Sequence, residues 1–175
     1  MGSDRVDYRL VRLELPRDRE LLRSFHVAYD GEYGFRREPS AHDPVLDWVE
    51  RYRELYHCLV LMAGEEPVGY MRAYDRISTS SADRVLMLDM VHVLPEWRGR
   101  GAGGAMMEGL VRFARENGNA RIDLLVDLEN APARALYEKC GFVGRKRFQM
   151  HYWLKDHPDL VAYFEEKQAR DRPEA

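Results

Sequence analysis

The chain has 175 residues, which is the length of one ordinary domain with a full hydrophobic core. Its formal net charge is −3 and both signs are interspersed, so it lacks the basic stripe that nucleic-acid binding requires. Its 2 cysteines and 6 histidines have no disulfide or metal-site spacing, and no apolar run is long enough to span a membrane. We therefore expect a cytoplasmic protein without a signal peptide, a metal, a membrane contact or a nucleic-acid partner.

Hydrophobic periodicity and turn residues predict an alternation of strands and helices. A strand (8–15) and a helix (17–28) lead to a polar, aromatic segment (29–44) and a second helix (45–56). Two strands (57–63 and 67–74) form a hairpin, and a Ser- and Thr-rich loop (75–83) precedes a strand that is apolar on both faces (85–94). A helix (105–116), a strand (122–126), a helix (130–141), a last strand or two (143–154) and a frayed, charged tail (165–175) complete a single α/β domain over residues 1–175.

The most informative segment is the turn that follows the apolar strand. It consists of Arg98, Gly99, Arg100, Gly101, Ala102, Gly103 and Gly104. A helix start offers unpaired N–H groups and the positive end of the helix dipole, and glycines let a ligand approach the backbone. The turn therefore predicts a phosphate site, to which the side chains of Arg98 and Arg100 add charge.

Two other phosphate-binding motifs fit this turn poorly. Gly99, Gly101 and Gly104 match a dinucleotide-binding fingerprint, and Asp127 lies at a suitable distance for its acidic ribose ligand. A dinucleotide domain normally opens with that fingerprint, whereas here the turn lies past mid-chain and follows a hairpin. A P-loop is excluded because no Lys-Ser or Lys-Thr pair follows the glycines.

A second motif follows the strand at 122–126. Asn130 is a good helix N-cap, and Gly141 is suited to end the helix in a left-handed conformation. On that helix Asn130, Ala133 and Tyr137 share one face, because they are separated by three and four residues. An amide, a small residue and a phenol are thus expected to line one groove.

Together the two motifs resemble the GNAT superfamily of acyl-CoA-dependent N-acetyltransferases. Arg98, Gly101 and Gly103 match its Arg/Gln-x-x-Gly-x-Gly/Ala pattern, and the helix from Asn130 to Tyr137 matches its second motif. The resemblance covers residues 57–154 and is thin over residues 1–56. It implies a mixed, mostly antiparallel central sheet flanked by helices, with a splayed central strand that holds the cofactor.

The resemblance also implies acetyl-CoA as co-substrate and direct attack on its thioester by an amine in a ternary complex. The implied cofactor-binding residues are Val91, His92, Val93, Arg98, Gly99, Arg100, Gly101, Ala102, Gly103, Gly104, Asn130, Ala133 and Tyr137. A backbone N–H near Val91 or His92 is the expected donor to the oxyanion. Tyr137 is the candidate acid for the leaving thiolate, although it could instead only position the sulfur, and Asn130 could be only a helix cap.

The amine must lose a proton before it attacks, and the apolar strand holds two polar candidates. Asp89 matches a position where some members carry an acid, so it is the candidate base, directly or through water; alternatively it pairs with an arginine. His92 has a suitable intrinsic pKa. Strict alternation puts it on the face opposite Asp89 unless a bulge intervenes.

An acidic and aromatic cluster precedes the second helix. It comprises Tyr29, Asp30, Glu32 and Tyr33, which would suit a cationic amine, although a solvated loop has the same composition. Together with the loop at 75–83, this variable segment is the expected acceptor side. We rank a small amine or amino-acid derivative first as acceptor and a protein N-terminus or lysine second. A non-catalytic acyl-CoA-binding module remains an alternative, and because many members dimerise, a homodimer is also expected.

Overall fold

Apolar and β-branched runs form a five-stranded sheet, and amphipathic segments cover its two faces. The computed structural model describes residues 6–146, 149–155 and 158–170, except the side chains of Asp159 and Arg170. The chain divides into two units, Met1–Val143 and Gly144–Ala175. The elements of the first unit are β1 (Tyr8–Arg12), α1 (Arg19–Glu32), α2 (Asp43–Arg51), β2 (Tyr56–Ala63), β3 (Glu66–Ser78), β4 (Asp83–Val93), α3 (Ala102–Glu116), β5 (Arg121–Leu124) and α4 (Ala131–Lys139). The second unit contains α5 (Pro158–Arg170).

The strands lie in the order β1-β2-β3-β4-β5. Strands β1 to β4 pair antiparallel with one another, and β5 pairs parallel with β4. The prediction of a mixed, mostly antiparallel sheet flanked by helices is confirmed. The extent of the domain over residues 1–175 stays a prediction.

Each face of the sheet has its own apolar core. On the α3 face, the buried side chains include Leu59, Leu61, Met71, Leu86, Leu88, Met106 and Leu110. On the α1 and α2 face, they include Leu22, Phe25, Leu46, Val49, Val60 and Tyr70. Burying each large side chain stabilises the fold by about 2 kcal/mol before entropy is counted, so both layers hold the sheet rigidly.

The central strand β4 separates from β5 halfway along its length. The two strands pair only from Val85 to Leu88 on the β4 side. The register between β3 and β4 shifts between Arg72 and Ala73, and Asp89 is the extra residue of this bulge. Beyond the bulge β4 continues beside β3 alone, which opens the predicted splay.

Several segments differ from the prediction, including β1 and α2, which end at Arg12 and Arg51. Helix α1 extends to Glu32 and α3 starts at Ala102, so both helices take up residues expected in turns. The predicted loop at 75–83 shrinks to residues 79–82, because β3 continues to Ser78 and β4 starts at Asp83. Residues 79–82 lie next to the start of β4, and the point where β4 separates from β5 is about 20 Å further along that strand.

The last predicted strand is absent from the described part of residues 143–154. Here Val143, Met150, Tyr152 and Leu154 are at least 89% exposed. Strand formation requires pairing and burial of one face, and these apolar side chains gain no burial. Residues 147–148 of that segment and 171–175 of the tail lie outside the described residues, whereas residues 165–170 belong to α5.

A buried carboxylate explains why β3 continues through its polar end. The Asp75 side chain is only 5% exposed and accepts hydrogen bonds from His57 (3.0 Å), Arg84 (2.6 Å), Asn117 (3.1 Å) and Asn119 (2.6 Å). Burial alone would raise the pKa of Asp75, but these hydrogen bonds outweigh it and hold the pKa at about 2. The cluster ties the C-terminal end of α3 to β3.

Replacing Asp75 by Asn should lower the free energy of unfolding at neutral pH by about 2 kcal/mol, because four donors lose a charged acceptor. The folded pKa of about 2 lies below the unfolded value of 3.8, so this stabilisation is fully present well above pH 3.8 and is lost as the pH falls towards 2. Between about pH 5 and pH 3 the native chain should lose about 1 kcal/mol that Asp75→Asn does not lose. Urea titrations at both pH values measure the difference, with exposed Asp83→Asn as control. Parallel pH profiles for native chain and variant would contradict the assignment.

Candidate functional site

A cavity of about 160 Å³ lies where β4 and β5 separate. It is lined by Tyr29, Tyr33, Leu88, Asp89, Met90, Val91, Leu124, Leu125, Val126, Asp127, Asn130, Ala133 and Tyr137. These residues come from the end of α1, the bulged part of β4, the turn after β5 and the exposed face of α4. One wall therefore combines residues of the second motif, the central strand and the acidic–aromatic cluster.

The backbone of β4 presents unpaired polar groups to this opening. The Leu94 N–H donates to the Val68 carbonyl on β3 at 3.0 Å. The direction of the backbone N–H and C=O groups alternates along a strand. Those of His92 therefore also point towards β3, and those of Val91 and Val93 point away from it. Of the two expected oxyanion donors, the alternation therefore favours the Val91 N–H.

Tyr137 lies on α4 with its ring against Phe142, at a centroid distance of 5.8 Å. Burial raises the pKa of Tyr137, and the neighbouring Tyr33 adds to the increase. The phenol therefore keeps its proton at neutral pH. A protonated phenol on the cavity wall can donate to a sulfur or to a developing thiolate.

Asn130 is the N-cap of α4, as the sequence predicts. Its Oδ1 accepts a hydrogen bond from the Ala133 N–H at 3.2 Å. The amide oxygen therefore satisfies the helix start, and a cofactor would meet the amide nitrogen. Ala133 stands beside it on the cavity wall, where a larger side chain would narrow the opening.

Asp89 faces the cavity but is paired. Its Oδ2 accepts from Arg72 Nε at 2.9 Å and from Arg72 Nη2 at 2.5 Å. Arg72 is largely buried on the α1 and α2 face of β3, and it was missed by sequence reasoning. Only the strand register brings Arg72 next to the bulge, so no local signal pointed to it. The arginine pairing considered for Asp89 is present, and its role as base stays a prediction.

His92 lies outside the residues that line the cavity, and its side chain lies on the face of β4 that α1 covers. It is 4% exposed, with its ring 6.0 Å from the Tyr29 ring and its Nδ1 3.4 Å from a Glu32 carboxylate oxygen. Burial lowers the pKa of His92, so the imidazole is neutral at neutral pH. The bulge at Asp89 shifts the alternation, so His92 is directed away from Val91 but lies on the same face of the sheet as Arg72, the partner of Asp89.

The glycine turn has the backbone conformation that a phosphate site needs. Gly99 (φ 74°) and Gly101 (φ 87°) are left-handed, which side chains disfavour. The first bond of α3 runs from the Ala105 N–H to the Gly101 carbonyl, so the preceding N–H groups have no partner within the helix. Ala102 is buried, and Gly104 faces open space.

Gly103 has a packing role besides any contact with a ligand. A Cβ atom at this position would lie 2.9 Å from Leu136 Cδ2 on α4. The missing side chain therefore lets α4 approach the start of α3. This contact holds the second motif close to the first.

Both arginine side chains of the turn are engaged by protein groups. Arg98 Nε donates to the Val93 carbonyl at 2.9 Å, and Arg98 Nη2 donates to Glu32 at 2.5 Å. The Arg100 guanidinium lies over the Trp97 ring, 5.3 Å from its centroid. These interactions direct Arg98 towards α1 and Arg100 over Trp97, and a phosphate contact would have to use their remaining N–H groups.

The acidic–aromatic cluster is divided between two places. Tyr29 and Tyr33 stack at a centroid distance of 4.4 Å and line the cavity. Asp30 is buried, with its carboxylate 3.4 Å from Arg37 and 3.3 Å from His42. Only the two tyrosines of the cluster therefore face the cavity, and Glu32 contacts Arg98 beside it.

Two features are absent from residues 6–146, 149–155 and 158–170. No helix in these ranges is long and apolar enough to cross a membrane. The same residues contain no group of three or more His, Cys, Asp or Glu side chains arranged to hold a metal ion.

The chain matches the model of the acetyltransferase (GNAT) family over residues 20–142. It is 32% identical over 122 residues to the uncharacterized N-acetyltransferase YhfO of Bacillus subtilis, covering 69% of this chain and 81% of that protein. The chain therefore belongs to the GNAT acetyltransferase family, whose members use acetyl-CoA or related acyl-CoA.

Solved structures share the fold. A probable acetyltransferase superposes with a TM-score of 0.71 at 25% identity, over 85% of this chain and 99% of the other. The aminoglycoside acetyltransferase AAC(6')-Iy, in complex with a bisubstrate analogue that joins CoA to an acetylneamine, has a TM-score of 0.69 at 17% identity, over 84% and 98%. At 17% identity, the similarity to the second structure shows only that the fold is shared.

Gly101→Glu should weaken acetyl-CoA binding by about 100-fold or more, because it combines a strained left-handed backbone with a negative charge beside the phosphates. Isothermal titration calorimetry measures the affinity. Gly118→Glu is a matched control, since Gly118 is also left-handed (φ 74°) but lies at the other end of α3. Native affinity in Gly101→Glu would remove the phosphate site from this turn.

Proposed function

We propose that this chain transfers the acetyl group of acetyl-CoA to the primary amine of a small molecule, by direct attack in a ternary complex. The observation that carries the proposal is the cavity in the splay. There the open backbone of Val91, the phenol of Tyr137 and the stacked rings of Tyr29 and Tyr33 face one space. An acyl donor and an amine could therefore meet between β4, α4 and α1.

Backbone groups carry most of the proposed cofactor binding. The N–H groups of Ala102, Gly103 and Gly104 at the start of α3 bind the pyrophosphate, aided by the helix dipole. The C=O group of Val91 and the N–H group of Val93 pair with the amides of the pantetheine arm, as an added strand would. Asn130 and Ala133 form the opposite side of the groove.

The chemistry needs three groups of the chain. The Val91 N–H donates to the carbonyl oxygen of the thioester, where negative charge develops as the amine attacks. Tyr137 donates its proton to the thiolate when the C–S bond breaks and the C–N bond has formed. Asp89 accepts the proton that the amine loses, directly or through a water molecule. As the amide forms, the nitrogen loses its second proton to the Tyr137 phenolate, and Asp89 releases its proton to water. The products are an N-acetyl amide, the thiol of CoA and one proton in solution, and both side chains are restored.

The acceptor side favours a cationic amine. Asp89 and Asp127 contribute carboxylates to the cavity wall, and the faces of Tyr29 and Tyr33 suit cation–π contacts. The bisubstrate complex of the structural neighbour holds an aminoglycoside fragment, which is a cationic small molecule of this kind. A small amine or amino-acid derivative remains ahead of a protein N-terminus or lysine, because the cavity is small and the end of α1 lines one side of it. The cytoplasmic location and the homodimer stay predictions from the sequence.

Tyr137→Phe should reduce kcat by about tenfold to a hundredfold and leave acetyl-CoA affinity nearly unchanged, because it removes only the proton donor. Steady-state kinetics and calorimetry measure the two quantities separately. Tyr52→Phe on the surface of α2 is the matched control and should change neither. Equal losses of turnover and affinity in Tyr137→Phe would instead make Tyr137 a binding residue.

The proposed reaction is tested by thiol release from acetyl-CoA against polyamines, amino acids, aminoglycosides, arylamines and short peptides. We expect release with at least one cationic small amine and none with the peptides. Release with peptides alone would move the acceptor to a protein amine. If none of these compounds causes thiol release, while a thermal shift shows that acetyl-CoA binds, a non-catalytic acyl-CoA-binding module would be favoured.

A further inference from the structure

The side chain of Arg98 points towards α1 and away from the start of α3. Its Nη2 group donates to Glu32 Oε2 at 2.5 Å, and its Nε donates to the Val93 carbonyl at 2.9 Å. One guanidinium thus joins three parts of the site: the phosphate turn, the open edge of β4 and the last residue of α1. Arginine suits this task because its planar fork donates in two directions at once.

Glu32 is held from a second side as well. Its Oε2 lies 3.4 Å from Nδ1 of the buried His92, whose ring also approaches Tyr29. The hydrogen bond from Arg98 lowers the pKa of Glu32, which keeps the carboxylate charged at neutral pH. Glu32 therefore contacts His92 on β4 and is held in place by the hydrogen bond from Arg98.

The last turn of α1 needs such an anchor because its own sequence is weak. Gly31 lies within this turn, and Gly34 follows it with φ at 76°. Glycine in a helix costs about 1 kcal/mol relative to alanine, so this turn would fray readily on its own. The same turn carries Tyr29 and Tyr33, which form the acceptor side of the cavity.

We propose that Arg98 and Glu32 form a positioning pair that holds the tyrosine-bearing end of α1 against the cavity and so sets acceptor affinity. Arg98 then acts on the acceptor rather than through a side-chain bond to the cofactor phosphates. The inference rests on the proposed acetyl transfer for its kinetic consequence. Its structural consequence, a firmly held end of α1, is independent of the reaction.

A double-mutant cycle of Arg98→Met, Glu32→Gln and the combined variant tests the pair. Each single variant should raise the KM for the amine about tenfold, and the combined variant should raise it no further, because either change already breaks the pair. The Kd for acetyl-CoA should stay within about threefold of the native value. Arg98→Lys should recover part of the amine KM, since it restores one charged donor.

Three results would overturn the pairing. A much weaker acetyl-CoA affinity in Arg98→Met, with native behaviour in Glu32→Gln, would make Arg98 a phosphate ligand. Multiplicative effects on the amine KM in the combined variant would show that the two residues act independently. A comparable rise of the amine KM in the control Arg100→Met would assign the effect to the loss of any charge in the turn.

Amide hydrogen exchange of residues 29–34 tests the pair without any turnover. Both single variants should exchange faster there than the native chain, and Arg100→Met should not. Unchanged exchange would overturn the pairing even if the enzyme is active. Faster exchange in both single variants, together with a native chain that acetylates no amine, would support the pairing and reject the proposed reaction.

Discussion

The separation of β4 from β5 is the constraint on which the rest of the site depends. A strand that paired with both neighbours along its whole length would have no free backbone groups to offer a ligand. Here the pairing stops at Leu88, and the bulge at Asp89 redirects the chain so that Val91 and Val93 face an opening. In the proposed function, the polar groups that the sheet leaves unpaired pair with an extended ligand as an added strand would.

The two motifs, about 30 residues apart in sequence, form one site because two helices pack closely. α3 begins at the phosphate turn, and α4 carries the groups that face the reacting end of the cavity. The contact between Gly103 and Leu136 joins them, and the polar cluster around Asp75 fixes the far end of α3. Helix α3 is thus held by a packing contact at its start and by a buried charge at its C-terminal end.

Local signals were enough to predict the parts of the site that depend on backbone chemistry. Gly99 and Gly101 require a left-handed conformation that their sequence allows, and Asn130 caps α4 through its own side chain. Interactions that depend on distant residues could not be predicted in this way. The partner of Arg98 lies 66 residues away on α1, and Arg72 meets Asp89 only through the register of two strands. Similarly, the sequence predicts a loop at the polar end of β3, because the donors that satisfy Asp75 lie on β2, on β4 and after α3.

The contact between Gly103 and Leu136 also has an evolutionary consequence. The space available to the two side chains is shared, because the missing Cβ of one is filled by a methyl group of the other. A lineage that gains a side chain at position 103 must therefore turn the Leu136 methyl groups aside, place a smaller residue at position 136 or let α4 move outward. The volumes at these two positions should therefore tend to vary inversely across related chains, although position 136 contacts no cofactor phosphate in the proposed function.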